Sequence, residues 1–272
     1  MRKTRLDVLL TERGLAESRS QAQKLVMAGQ VRVDGQVVLK PATAFPKEVE
    51  IVVERGPRYV SRGGEKLEAA LMAFHLDRLD GRVCVDVGAS TGGFTDCLLQ
   101  HGAAKVYAVD VGYGVLHWKL RNDPRVVVME RTNARYVEGF GEVISLVTID
   151  ASFISLKILL PVVRQWLVEG GEVVALIKPQ FEAGRSEVSR GDGVIQDAQI
   201  HRRVLEETLA FAQGRGFTVR GLIRSPLKGP KGNVEFLADL IYPASGEELA
   251  DTGGLIEKAL QPGSKPVDEE AL

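Results

Sequence analysis

Cysteine is scarce in this 272-residue chain: it holds only Cys84 and Cys97. One falls in an apolar strand-like run and the other in a helix-like run, so both read as reduced, buried thiols rather than a disulfide or a metal pair. Histidine is nearly as rare. His75, His101, His117 and His201 have no spacing that would bring ligands onto one ion, so no metal is expected. No stretch approaches the roughly 20 apolar residues that span a bilayer. The basic N-terminus also lacks the apolar core and small-residue cleavage site of a signal peptide. These gaps point away from secreted, membrane and metal-dependent classes and towards a cytoplasmic protein.

A hydrophobic content of 44% and a charged content of 26% are ordinary for a globular chain long enough for one large core and a small extra domain. Formal net charge is only -1, but it is unevenly spread. Residues 1–62 carry 12 Lys or Arg against 7 acids, whereas residues 244–272 carry 2 against 7. Phosphate attraction is local, so a basic N-terminal unit suits nucleic acid even in a neutral chain.

That unit has a readable order. Apolar residues recur at helical spacing from Arg5 through Leu6, Asp7 and Val8 to Leu10, and Ser18 caps a second helix that Gly29 ends. Val31 to Val33 alternates like a strand, turns at Asp34-Gly35 and resumes at Gln36 to Val38, a hairpin signal. Over about 55 residues this resembles the S4-type RNA-binding domain. The resemblance implies that Arg5, Arg19 and Lys24 lie on or beside a face that cradles folded RNA through shape and phosphate contacts. A basic linker at 56–62 follows, with Gly56-Pro57 and then Arg58 and Arg62, which join the expected RNA-binding set.

Beyond it, a helix near 64–75 precedes apolar strands at 83–87, 105–109, 126–129, 146–149 and 172–177, separated by helical stretches. This alternation predicts a parallel, doubly wound sheet with ligands at the carboxyl ends of its strands. Asp86 closes the first strand, and Gly88, Ser90, Thr91, Gly92 and Gly93 form a turn leading to a helix that opens at Phe94. Such a turn lets backbone approach a ligand at a helix N-terminus. It lacks the Gly-x-Gly-x-x-Gly fingerprint of NAD-binding folds. The acid at the strand end instead suits the cationic methionine portion of S-adenosylmethionine (SAM), and Asp110, ending the second strand, is placed for ribose hydroxyls.

Two further charges end strands. Asp150 follows the fourth strand, and Lys178 follows five apolar residues in the fifth, which a solvated surface lysine explains poorly. Burial disfavours the charged form of an amine, which suits it to deprotonation. Residues 218–223 and 233–242 read as two returning strands, the last antiparallel, which carries Glu235 towards Lys178.

With these residues in place, the chain from residue 3 to Tyr242 resembles the TlyA family of S4-domain rRNA 2'-O-methyltransferases, whose catalytic domain is similar to the FtsJ (RrmJ) type. The passages that carry the resemblance are Val60 to Leu67, Asp86 to Thr95, Val109 to Gly114, Ile149 to Leu156, Lys178 to Glu182 and Gly232 to Phe236. It implies an α/β fold: a Rossmann-like class I methyltransferase with a mainly parallel seven-stranded sheet, plus a small N-terminal α+β S4-like domain. It implies a Lys-Asp-Lys-Glu tetrad of Lys66, Asp150, Lys178 and Glu235; spacing alone does not single out Lys66. It also implies SAM as cofactor and a ribose 2'-hydroxyl of a cytidine in ribosomal RNA as acceptor.

The expected organisation is an S4-like domain at 1–55, a linker at 56–62, a methyltransferase domain at 63–243 and an acidic segment at 244–272 with one short helix near Leu255 to Leu260. Lys178 is the expected deprotonating or orienting group, with Asp150 and Glu235 tuning the lysines and Lys66 steering the hydroxyl. Asp150-Ala151-Ser152-Phe153 is not the Asn/Asp-Pro-Pro-Tyr/Phe element that suits amino-nitrogen methylation. Two rival classes remain: a membrane-acting cytolysin, since relatives carry a haemolysin label, and a noncatalytic RNA-binding or ribosome-assembly protein with a vestigial cofactor pocket.

Overall fold

The computed structural model describes residues 3–54, 56–184, 187, 193–243 and 251–261. The acidic C-terminal segment is therefore described only over 251–261. The chain divides into two compact units, Met1–Arg58 and Tyr59–Leu272.

In the first unit, β1 (Thr4–Arg5) leads into α1 (Leu6–Glu12), and α2 (Arg19–Met27) starts where the Ser18 hydroxyl accepts a hydrogen bond from the Gln21 amide at 3.2 Å. A serine oxygen here satisfies an amide that the first helical turn leaves free. Strands β2 (Val31–Val33) and β3 (Gln36–Val37) form the expected hairpin. Its turn places Asp34 and Gly35 at φ of 48° and 78°, the left-handed pair that a two-residue hairpin loop requires. Strand β4 (Ala44–Phe45) pairs with β1, and β5 (Ile51–Val53) pairs with β2. Leu6, Leu10, Ala22, Val26, Val31 and Val33 close a small core between the helices and the three-stranded sheet.

The second unit is built on one seven-stranded sheet. In chain order its elements are α3 (Gly63–Ala73), β6 (Val83–Val87), α4 (Gly93–Gln100), β7 (Lys105–Val109), α5 (Trp118–Arg121) and β8 (Val126–Met129). They continue with β9 (Ile144–Ile149), α6 (Leu156–Val163), β10 (Leu167–Ile177), α7 (Pro179–Glu182), α8 (Ala198–Gly214), β11 (Thr218–Arg224), β12 (Phe236–Tyr242) and α9 (Thr252–Leu260). The spatial order is β11-β12-β10-β9-β6-β7-β8, parallel except for β12, which runs antiparallel to both neighbours. One sheet face packs a core from α6, α8 and α9 and the other a core from α3 and α4. Both faces are covered, which is why the parallel strands read as near-continuous apolar runs. Cys84 and Cys97 are free and buried in the second of these cores.

Three boundaries differ from the sequence pattern, each for a local reason. Residues 59–62 belong to the second unit rather than to a linker: Tyr59 is buried, and the Val60 amide donates to Asp96 at 2.9 Å. Strand β10 begins at Leu167, before the Gly170-Gly171 irregularity that breaks its register with β9. Strand β12 begins at Phe236 because Asn233 is engaged elsewhere, accepting from the Ile195 amide at 3.0 Å and donating to the Gly193 carbonyl at 2.9 Å.

Gly64, in the first turn of α3, lies so close to the Tyr59 ring that a Cβ there would overlap it. Overpacking of this kind costs about 1–3 kcal/mol. Gly64→Ala is expected to lower the unfolding free energy by that amount in a denaturant titration, whereas Gly81→Ala, with open space around it, tests only the φ of +75° at that turn.

Candidate active site

The carboxyl ends of β6, β7, β9 and β10 meet at one edge of the sheet, where backbone packs against backbone. Gly88 sits at φ +84°, and a Cβ on it would come within 2.7 Å of the Asp150 carbonyl oxygen. Only glycine lets the turn after β6 lie against the end of β9. The Asp150 amide in turn donates to the Val87 carbonyl at 2.9 Å, so the two strand ends hold one another.

Two cavities share this junction. The first, about 440 Å³, is walled by the start of α3 (Ser61, Arg62, Gly63, Lys66), by Gly88 to Thr91, Gly93 and Phe94, by Asp150, Ser152 and Lys178, and by Leu227 to Gly229 and Glu235. The second, about 580 Å³, is walled by Gly88, Ser90, Asp110, Val111, Thr132 to Arg135 and Asp150 to Ser155, with Ile158 and Leu159 of α6. Gly88, Ser90, Asp150 and Ser152 belong to both.

All four tetrad residues line the first cavity, as two ion pairs. Lys178 Nζ lies 2.6 Å from Asp150 Oδ1 and donates to the Ser152 hydroxyl at 3.0 Å. Lys66 Nζ lies 2.5 Å from Glu235 Oε2, a contact spanning 169 residues of sequence. Lys66, Lys178 and Glu235 are buried, and a buried charge is tolerated only when paired. Glu235 therefore partners Lys66 rather than Lys178. Its second oxygen, Oε1, is buried without a hydrogen-bond partner among the described residues, beneath the Gly229 backbone.

The expected cofactor residues divide between the cavities. Asp110 lines the second, and its two oxygens accept from the Ser90 amide at 2.8 Å and the Gly112 amide at 2.7 Å, which fixes the carboxylate while leaving further lone pairs for hydroxyl donors. Thr91, Gly93 and Phe94 line the first cavity, and Gly88 and Ser90 both. Gly92 and Asp86 line neither. Gly92, at φ +97°, caps α4 and packs against Leu116 and Leu120. Asp86 is fully buried, accepting from Thr95 Oγ1 at 2.6 Å and from Thr148 Oγ1 at 3.2 Å. It lies one residue before the strand end, opposite Thr148, beneath the first turn of α4.

The sequence pattern missed Ser152, the Thr132 to Arg135 wall, Ile158, Leu159 and the Leu227 to Gly229 loop. Position after a strand end was the available signal for all but the two α6 residues, since the rest follow β8, β9 or β11. Phe153 was missed too. It is 91% exposed at the mouth of the second cavity, with φ +63° and its ring 5.0 Å from that of Phe181. Glu182 ties these two segments together, accepting from Ser155 Oγ at 2.5 Å and the Leu156 amide at 2.7 Å, and burial raises its carboxyl above the usual range.

In the first unit, Arg5 and Arg19 converge on the buried Asp7. Arg5 grips it through two hydrogen bonds of 3.0 and 2.9 Å, Arg19 through one of 3.1 Å, and Gln23 adds a fourth at 2.9 Å. The Arg5 guanidinium, first among these, holds the Asp7 carboxyl well below the usual carboxylate range. One acid shared by two exposed guanidiniums leaves a positive surface with donors to spare. Lys24 is exposed on α2, and Arg62 is exposed at the wall of the first cavity.

A nucleoside-sized cavity with a fixed acid, joined to a second that holds two lysine–carboxylate pairs on a seven-stranded sheet, defines a class I methyltransferase acting on a hydroxyl-bearing substrate. Family comparison agrees: residues 59–241 match the FtsJ-like methyltransferase family and residues 4–51 the S4 domain. The chain belongs to the TlyA family of S4-domain, FtsJ-like methyltransferases. It is 48% identical over 239 residues to the 16S/23S rRNA (cytidine-2'-O)-methyltransferase TlyA of Mycobacterium tuberculosis, covering 86% of this chain and 88% of that one. It is 45% identical over 240 residues to Hemolysin A of Brachyspira hyodysenteriae, covering 87% and 99%. A solved hemolysin-named structure from Streptococcus thermophilus superposes with a TM-score of 0.70 at 47% identity, covering 95% and 96%. Among the described residues, no helix is long and apolar enough to cross a membrane, and no group of His, Cys, Asp or Glu could hold a metal ion.

Burial pushes the Asp86 carboxyl up to about 7, with the Thr95 hydroxyl opposing the rise. A carboxyl raised in the folded state binds its proton more tightly there than in the unfolded chain, so its contribution to stability falls as pH rises from about 4 to about 7. The melting-temperature difference between the wild type and Asp86→Asn should therefore shift in favour of the variant across that interval. A difference that stays flat from pH 4 to 8 contradicts the assignment.

Proposed function

We propose that this chain transfers a methyl group from SAM to the ribose 2'-hydroxyl of a cytidine in ribosomal RNA, as a cytoplasmic enzyme. The observation that carries the reading is the convergence of two lysine–carboxylate pairs, from four separate segments, in a cavity that shares its floor with a nucleoside-sized one. The second cavity fits SAM: Asp110 suits a ribose diol, the Val111, Ile158 and Leu159 side chains suit a purine, and the glycine turn admits backbone close to the ligand. Asp86, held by two threonines, supports the turn from beneath rather than touching the methionine portion. When bound, SAM supplies an electrophilic methyl carbon on a positively charged sulfur.

The protein's task is to aim a poor nucleophile and remove its proton. Lys178, anchored by Asp150 and Ser152 beside the junction of the two cavities, orients the hydroxyl oxygen, and the Asp150 carboxylate paired with it takes up the proton as the carbon–oxygen bond forms and the methyl–sulfur bond breaks. Lys66 steers the oxygen from the start of α3, and Glu235 fixes Lys66. Phe153 presents an exposed ring against which a base can stack. The S4-like unit supplies Arg5, Arg19 and Lys24 as phosphate contacts that place folded RNA.

Transfer of labelled methyl from SAM to unmodified ribosomal subunits tests this reading. Lys178→Ala is expected to reduce kcat by about 10²–10⁴-fold while SAM binding, measured by calorimetry, stays within a factor of two or so. Full activity in that variant, or no transfer by the wild type, contradicts it. Hemolysin A in the same family makes vesicle leakage the control, and lysis at enzyme concentrations that transfer no methyl would favour the membrane-acting alternative.

A further inference from the structure

The first cavity has more positive charge than its catalytic groups consume. Four cations line it, Arg62, Lys66, Lys178 and Lys228, against two carboxylates, Asp150 and Glu235. The carboxylates are already committed, one to Lys178 and one to Lys66. Arg62 and Lys228 remain, both exposed, and neither has an ion pair among the described residues. Resting on the ribose-methylating reading above, we propose that Arg62 and Lys228 form a phosphate subsite for the 3'-phosphodiester of the ribose being methylated.

The chemistry of RNA supplies the need. A ribose 2'-hydroxyl and the 3'-phosphodiester stand on adjacent ring carbons, so a site that draws the hydroxyl in between Lys66 and Lys178 draws in that phosphate as well. Near two carboxylates an uncompensated phosphate would be repelled. The two uncommitted cations bracket the Lys66–Glu235 pair and supply what it lacks. Arg62 caps α3 one turn before Lys66. Lys228 precedes Gly229, whose missing Cβ lets the loop lie directly on the Glu235 carboxylate.

That loop is itself held in place. Ser225 Oγ donates to the Leu227 carbonyl at 2.7 Å and accepts from the Leu227 amide at 3.3 Å, and the Gly229 amide donates to the Asn233 carbonyl at 2.8 Å. Lys228 is thus presented at the cavity wall by an ordered turn. A nucleotide, with a ribose hydroxyl beside a phosphate, matches both the paired lysines and the spare cations lining this cavity.

The test titrates the full chain with cytidine, cytidine 3'-monophosphate and cytidine 5'-monophosphate, following amide shifts by NMR at low salt. The wild type is expected to prefer the 3'-monophosphate over cytidine by about fivefold or more, as a charge-assisted contact allows. Lys228→Gln should lose most of that preference and Lys228→Arg should keep it, with cytidine itself bound equally by all three. In methyl transfer to ribosomal subunits, Lys228→Gln should raise KM and flatten its salt dependence by about 0.7 in log–log slope, the increment for one phosphate on a single strand.

Equal binding of the three ligands by the wild type, an equal preference for the 5'-monophosphate, or an unchanged preference in Lys228→Gln each overturns the subsite. A 3'-monophosphate preference in a wild type that transfers no methyl to RNA leaves the subsite standing and counts against the functional reading alone.

Discussion

Asp150 is where the second unit's architecture and its chemistry meet. Its amide is held by Val87, its carbonyl is packed against Gly88, and its carboxylate holds the Lys178 ammonium. Each contact constrains the next. A side chain at position 88 would push the β6 turn off the end of β9, and a displaced β9 would leave a lysine buried beside β10 without its counter-charge. An unpaired buried charge costs about 3–5 kcal/mol, so the pairing and the strand ends stabilise one another. The same junction divides the two cavities, with Asp150 and Ser152 lining both, and the proposed reaction would set a cofactor on one side of it and a hydroxyl on the other.

Lys66 and Glu235 repeat the device with elements far apart in the chain. The start of α3 and the approach to β12 are joined through one ion pair, and Gly229 and Gly64 each remove a Cβ where backbone must come close. The tetrad is therefore two stabilised pairs rather than four free groups. In the proposed reaction each lysine would meet the substrate already oriented, which lowers the entropy that positioning would otherwise cost.

How much of this the sequence revealed depended on whether a residue's partner lay in an adjacent element. Asp150 and Lys178 were legible because consecutive parallel strands deliver their ends to one edge, and the alternation of apolar runs with helical stretches marks those ends. Lys66 was not, since nothing in its helix announces a partner 169 residues away, and only the family resemblance singled it out. Asp86 looked like a ligand contact because it nearly ends its strand. One residue of pleat turns it instead towards α4, where Thr95 covers it. The far wall of the second cavity, Thr132 to Arg135, lies in irregular chain with no period to read. In the first unit the arginines were legible as basic, but nothing in the pattern marks Asp7 as the buried acid that organises them.

These pairs are proposed to direct a methyl group to a sugar oxygen rather than to a base. Nucleoside analysis by mass spectrometry of ribosomal RNA, after incubation of unmodified subunits with the protein and SAM, measures this directly. The expected product is 2'-O-methylcytidine, with the added mass retained on the ribose fragment. Methyl recovered on the cytosine ring would contradict it.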